Sequence, residues 1–228
     1  MPNHTDIYNN EADKYELLIS KQSCLLDQIE AILPAEGLDI LDLGAGTGRF
    51  TIPLARKAKT LLAVDASAAM LEVLSSKLLT QGSMNWTATV ADHRAIPAKD
   101  HSFDLVVSGW SLSYIGNTNV PQWRSNIQQV MQEIQRVLKP GGTFIVMETL
   151  GTGTLVPRPP DFLTGYYELL EKEYGFSHRS LRTDYHFSSL NEAKDLARFF
   201  FGDELAEQVT TNHWITLPEC AGIWWRSF

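Results

Sequence analysis

The sequence predicts an α/β fold built as a doubly wound, mainly parallel sheet, and three observations carry that expectation. From residue 38 onward, short apolar runs alternate with longer stretches of helical periodicity. The first apolar run ends in a turn with glycine at every second position, "ILDLGAGTGRF" over residues 40–50. A long amphipathic segment, "PQWRSNIQQVMQEIQRVLKPGG" over residues 121–142, stops on Pro-Gly-Gly directly before another apolar run. Strands alternating with helices imply right-handed crossovers and a sheet covered on both faces.

Taken in order, "LDILDLG" (38–44) and "TLLAVD" (60–65) read as short buried strands. Between them, "GRFTIPLARKA" (48–58) must be a helix that begins near Arg49. Pro53 has no N–H to donate and is comfortable only in or at the end of the first turn. "AAMLEVLSSKLL" (68–79) is a helix bracketed by Ser67 as cap and Gly82 as stop. "WTATVAD" (86–92) and "FDLVVSG" (103–109) are further strands. In the amphipathic segment, Ile127, Val130, Met131, Ile134, Val137 and Leu138 form one apolar helical face, and "TFIVMET" (143–149) is the fifth strand. Past Glu148 the pattern loosens. It gives a Pro-rich turn at 157–160, a helix over 162–174, a strand near 178–187, a helical stretch over 189–210 and a final strand "GIWWRSF". In that strand Ile223 and Trp225 face one side and Trp224 the other.

The 228 residues, 44% hydrophobic and 20% charged, suit one sizeable domain with a single core. Residues 1–20 contain no basic stretch followed by an apolar one, and no later run reaches bilayer-spanning length, so a soluble cytoplasmic protein is expected. Cys24 and Cys220 are far apart, with no CxxC and no zinc-like His spacing. Two reduced, mostly buried thiols and no metal are expected. A net charge of −8 without a basic run argues against a nucleic-acid substrate and favours a small molecule or a protein.

In an open parallel sheet, ligands sit beyond the carboxyl ends of the strands, which directs attention to the loops after Leu43, Val64, Val90 and Val107. Gly44, Gly46 and Gly48 remove side chains where strand turns into helix, so backbone can approach a ligand. The dinucleotide fingerprint G-x-G-x-x-G has Arg49 at its third glycine position. Asp42 adds a carboxylate where a pyrophosphate would be repelled and an ammonium or sulfonium attracted. Asp65, closing the second strand, can accept two hydrogen bonds from a ribose diol. Asp92 is placed to accept from an exocyclic amine, with His93 beside it. Each of the last two is also a plausible loop cap.

These segments resemble the successive motifs of the class I S-adenosylmethionine-dependent methyltransferases. "ILDLGAGTGRF", "LLAVDASAAML", "ADHRAIPAKDHSFDLVVSGWSLSYI" and "VLKPGGTFIVMET" follow in order over residues 36–150, most like the small-molecule type 11/25 members. The resemblance implies a Rossmann-like seven-stranded sheet, mostly parallel with an antiparallel last strand, an N-terminal lid helix and a helical insertion before that strand. It implies one domain over 1–228: cap helices in 1–30, the cofactor core in 36–150, and substrate-side helices with the last two strands in 151–228. S-adenosyl-L-methionine is the implied cofactor, its methionine end near Asp42, Gly44 and Gly46, its ribose on Asp65 and its adenine beside Ala66 and Asp92. Ala45, Gly48, Met70, His93 and Ser108 complete the implied cofactor set. Tyr8 and Tyr15 in "DIYNNEADKYE" either cover the cofactor and face the acceptor or simply anchor the lid helix.

Methyl transfer from a sulfonium is an in-line displacement with an activated donor, so the protein mainly aligns the reactants and removes water. A base is needed only if the acceptor loses a proton. Tyr15, Tyr114, His178, His186, His213 and Glu148 are the candidates, none singled out by spacing. "SGWSLSYI" lacks the Asn/Asp-Pro-Pro-Tyr/Phe signature of base or glutamine methylation, leaving a small-molecule acceptor whose pocket Trp110 and Tyr114 can line. The expected partners are that acceptor and, for a homodimer, a second copy, with no nucleic acid and no membrane. Two other readings stand beside this one: a non-catalytic S-adenosylmethionine or S-adenosylhomocysteine binder acting as sensor or partner subunit, and a nicotinamide-dependent dehydrogenase, which Arg49 and Asp42 disfavour.

Overall fold

The N-terminal segment folds as two short helices, α1 (His4–Asn10) and α2 (Ala12–Ile19), because Asn3 caps the first through its side-chain oxygen and the helix breaks at Glu11. The computed structural model describes residues 2–228. The chain continues through α3 (Leu26–Glu30), β1 (Asp39–Leu43), α4 (Thr51–Leu54), β2 (Thr60–Asp65), α5 (Ala68–Thr80), β3 (Trp86–Val90) and β4 (Phe103–Gly109). Then come α6 (Ser113–Gly116), α7 (Trp123–Val137), β5 (Leu138–Thr152), α8 (Asp161–Glu168), β6 (Ser177–Arg182) and β7 (Tyr185–His186). The last elements are α9 (Leu190–Phe201), α10 (Asp203–Thr211), β8 (Thr216–Leu217) and β9 (Glu219–Ser227).

Seven strands form one sheet in the order β3-β2-β1-β4-β5-β9-β6. β1 to β5 pair in parallel, and β9 runs antiparallel between β5 and β6. Period-two alternation sends each strand's side chains to opposite faces. Leu41, Leu43, Val64, Val106, Phe144, Val146 and Trp224 pack into one core under α7 and α8. Ile40, Leu61, Ala63, Leu105, Val107, Ile145 and Ile223 join a second core with α3, α4 and α5. The strand order reverses between β1 and β4, so the crevice for a ligand opens at the ends of these two strands.

A third apolar cluster lies outside the sheet. Leu18 of α2 packs with Tyr185, Phe187, Leu196, Leu205, Val209 and Leu217, joining the N-terminal helices to the insertion before β9. The insertion differs from its sequence reading in three places. The strand expected near 178–187 divides: β6 stays in the main sheet, while β7 leaves it to pair with β8, because Arg182 and the Glu219 amide both hold the Asp184 carboxylate at the turn. The helical stretch over 189–210 breaks at Gly202, whose φ of +97° ends α9 and starts α10. The helix expected over 162–174 is α8 followed by a π-helical turn at Leu169–Glu173. Pro53 falls in the first turn of α4, as its missing donor requires. Of the two thiols expected to be mostly buried, Cys220 is buried and Cys24 exposed, and both are free.

Candidate functional site

The glycine turn is pinned to the neighbouring strand: the amides of Gly44 and Ala45 both donate to the Val64 carbonyl, at 2.7 and 2.9 Å. Gly44 has φ +80°, and a Cβ there would lie 1.9 Å from the Ser111 hydroxyl, so only glycine lets the β1 and β4 loops close on each other. Gly46, at φ +52°, has nothing within 4 Å of a Cβ position and faces a cavity of about 290 Å³. Gly48 does something different. Its Cβ position lies 2.5 Å from Leu74, so its role is to let α4 and α5 pack.

The cavity beside Gly46 is lined by Asp65, Ala66, Ser67 and Met70 from the end of β2 into α5, and by Asp92, His93, Gly109 and Ser111 from β4 and the loops after β3 and β4. Asp65 Oδ2 accepts from the Gly46 amide and Oδ1 from the Ser67 amide, each at 2.8 Å, which fixes the carboxylate and leaves a lone pair on each oxygen. Asp92 is at the wall, yet it is gripped by Arg94, whose Nε and Nη2 reach its two oxygens at 2.8 and 2.7 Å. That fork holds its carboxyl down at about 2. His93 Nε2 lies 2.9 Å from the Ser111 hydroxyl, and burial lowers its pKa. Among the described residues no Lys or Arg lines this cavity; Asp92 is offset by Arg94 behind it, but Asp65 is held only by backbone amides, so the field favours a cation over a pyrophosphate.

Four sequence candidates are not on this wall. Asp42 is buried beneath the turn: the Thr51 hydroxyl donates to its Oδ2 at 2.5 Å, Oδ1 has no partner among the described residues, and burial pushes the carboxyl up to about 7. Ser108 is buried in β4, one residue short of the wall. Ala45 lines only a small side pocket of about 30 Å³, and Gly48 serves helix packing. The histidines also fall elsewhere. His178 stacks on Trp224 at 4.4 Å on the edge strand, His186 points to Thr216, and neither these nor His213 reach a cavity beside the glycine turn. Glu148 is wholly buried, and burial raises it to about 7. It accepts from the Ser113 amide at 3.0 Å and so props the segment that carries Trp110 and Tyr114.

A second cavity of about 340 Å³ adjoins the first, and Tyr8, Tyr15, Trp110 and Tyr114 line both. Its remaining wall comes from distant parts of the chain: His4, Arg49, Thr149, Phe162, Tyr185, Phe200 and Glu219 among them. A hydrogen-bond chain runs along its edge from Tyr8 to Tyr114 to His4, whose Nδ1 is 2.9 Å from the Tyr114 hydroxyl. His4 Nε2 is 2.9 Å from the Phe200 carbonyl. A carbonyl only accepts, so Nε2 carries the proton and Nδ1 accepts from Tyr114, which in turn accepts from Tyr8. Burial lowers the His4 pKa, in keeping with this neutral ring. The Ser67 hydroxyl adds a bond to the Tyr8 carbonyl at 2.9 Å, so α1 is tied to both loops it covers.

Sequence reasoning missed His4, Tyr185, Phe200 and Glu219 as wall residues, and used Arg49 only to argue against a dinucleotide. The aromatic density of "TDYHF" and "RFFFG" was the available signal, but periodicity assigns such residues to a core.

Among the described residues no helix is long and apolar enough to cross a membrane. Residues 41–146 match the family model described as a methyltransferase domain. The malonyl-[acyl-carrier protein] O-methyltransferase of Marinomonas sp. is 29% identical over 170 residues, covering 73% of this chain and 57% of that protein. The biotin biosynthesis bifunctional protein BioHC of Saccharophagus degradans is 31% identical over 148 residues, 65% of this chain and 25% of that one. The chain thus spans between a quarter and little more than half of these curated relatives. A SAM-dependent methyltransferase from Aquifex aeolicus shares the fold with a TM-score of 0.61 at 14% identity, covering 93% of this chain and 96% of that one. With the motif order, the sheet topology and the glycine turn in agreement, residues 41–146 form a methyltransferase domain of the class I S-adenosylmethionine-dependent type.

Proposed function

We propose that the protein transfers a methyl group from S-adenosylmethionine to a small molecule held in the second cavity. The observation that carries this reading is the wall of Tyr8, Tyr15, Trp110 and Tyr114 common to the two cavities, across which a nucleophile and a sulfonium methyl would meet. The donor supplies a methyl group already activated by its positive sulfur. The open space at Gly46, the lone pairs left on Asp65 and the absence of cations on the wall all suit an adenosyl sulfonium.

In this reading Asp65 accepts from the ribose diol, while Met70, Asp92 and His93 flank the base. Asp92 keeps its charge through Arg94 and uses its remaining lone pairs, and Asp42 acts from beneath the turn through its bond with Thr51. The aromatic wall excludes water and fixes the acceptor's approach, which is the main contribution a protein makes when the leaving group is already good. Tyr8, at the donor end of a chain that terminates on neutral His4, has an oxygen lone pair open to the cavities. It is the best-placed group to receive a hydrogen bond from a protic acceptor.

The test is turnover: S-adenosylhomocysteine formed from S-adenosylmethionine in the presence of a small-molecule metabolite extract. The expected result is product that depends on both the extract and Asp65. Tight S-adenosylmethionine binding with no product across fractionated extracts would defeat the catalytic reading.

A further inference from the structure

The second cavity is largely aromatic, but its wall contains two polar groups that the fold leaves unsatisfied. Glu219 opens β9 with 2% of its surface exposed. Its Oε1 accepts from the Thr149 hydroxyl at 2.8 Å, and its Oε2 has no partner among the described residues. Arg49 lies on the same wall with its guanidinium 4.1 Å from the Trp110 ring centre, and its Nη1 is buried without a partner. The two do not pair with each other. A buried donor and a buried acceptor left open in one cavity are costly to keep unless something joins them during function.

The charges narrow what that something is. Above about pH 7, where Glu219 is ionised, an ammonium would satisfy Glu219 and be repelled by Arg49, and a phosphate would satisfy Arg49 and be repelled by Glu219. A head group that accepts on one atom and donates from the next satisfies both. We infer that the methyl acceptor carries a planar head of this kind, a carboxamide, held between Arg49 Nη1 and Glu219 Oε2, with an apolar ring-sized body against Phe162, Tyr185 and Phe200. The inference rests on the reading of the second cavity as the acceptor site. It adds the chemical class of the acceptor and two specificity-determining residues.

Calorimetric titration of four probes at pH 8 into protein saturated with S-adenosylhomocysteine tests it: benzamide; benzoate and acetophenone, as acceptors only; and benzylamine, as donor only. Benzamide is expected to bind at least about tenfold more tightly than the other three. Tighter binding of benzoate than of benzamide would overturn the carboxamide head. Arg49→Met and Glu219→Leu should each erase that preference while S-adenosylhomocysteine still binds. If Glu219→Leu does not fold, Arg49→Met alone carries the comparison. Equal affinities for the four probes, no saturable binding of any, or a preference that survives both substitutions overturns the inference. So does a loss of S-adenosylhomocysteine affinity in Arg49→Met, which would assign Arg49 to the cofactor. Failure of wild-type protein to bind S-adenosylhomocysteine at all would instead defeat the broader reading.

Discussion

The two adjoining cavities are built in opposite ways. The one beside Gly46 has its floor in strand ends and their loops, with Asp65 closing β2 and Gly46 and Asp92 just past β1 and β3, beneath Tyr8 and Tyr15. The other is made by α1, α2, the segment after β5, β7, α9 and the start of β9, which meet only in the folded chain. The first is set by local backbone geometry and the second by long-range packing. They should therefore respond differently to substitution, pH and ligand.

The largest effect is expected at Gly44. Valine there needs a left-handed φ and collides with Ser111, so Gly44→Val should lose about 2–5 kcal/mol of stability and all measurable S-adenosylhomocysteine binding. Thermal melts with and without ligand check this. Gly48→Ala, which meets Leu74 instead, should also lower the melting temperature yet keep its ligand-induced shift. If both variants lose the shift, the division between a ligand-facing and a packing glycine is wrong.

Next comes Asp65→Ala, which removes the partner of the Gly46 and Ser67 amides as well as the proposed diol acceptor. Cofactor affinity should fall by about 1–3 kcal/mol, on the order of 10- to 100-fold. Unchanged affinity would remove Asp65 from the site.

Titration should show the cavities' shared foundation. Asp42, Glu148 and Glu219 are each pushed up to about 7 by burial. In the folded protein they hold protons that the unfolded chain releases near pH 4. Stability from these groups is therefore full below about pH 4 and falls as pH rises toward about 7, by at most about 1.4 kcal/mol per pH unit for each group, then levels off. Asp39 and Glu192 act in the opposite sense: Lys139 and Lys21 hold them at about 2, so their contribution is lost as pH falls from about 4 toward 2. Denaturant midpoints across pH 2 to 9 should peak between these two limbs. A curve rising steadily from pH 4 to 8 would contradict the buried carboxyls' part.

Tyr114→Phe breaks the chain from Tyr8 to His4 and should cost about 0.5–1.5 kcal/mol, seen as faster amide exchange over residues 4–10. Unaltered exchange there would mean that α1 is held by Ser67 and packing alone. The smallest effect belongs to His178→Ala. This ring stacks on Trp224 at the far edge of the sheet, so cofactor binding and turnover should not change. A drop in kcat would return His178 to the candidate bases.

The same contrast explains what was legible in the sequence. The spans of β2 and β4 are legible to the residue, and β1 nearly so, because buried parallel strands are short apolar runs bounded by turn residues. Ser67 was recognised as a cap, and Asp65 and Asp92 as wall residues, for the same local reasons. Asp42 was misplaced because the motif fixes its position in the chain but not its direction. In the pleat it turns under the loop to Thr51. His178 and His186 were candidates only because histidine titrates near neutrality, whereas the histidine that joins the site is His4, recruited by a carbonyl 196 residues away. Glu219 lies before the final strand the sequence predicts, and only the folded chain brings it to Thr149 and onto the wall it shares with Arg49. The acceptor cavity depends on residues with no sequence neighbour in common, and pattern alone does not bring them together.

The central claim is that the cavity beside Gly46 holds an adenosyl sulfonium, and calorimetric titration of the wild-type protein with S-adenosylmethionine and with NADH tests it most directly. The account predicts one S-adenosylmethionine per chain and no measurable NADH binding. Binding of NADH in preference to S-adenosylmethionine, or of neither, would contradict it.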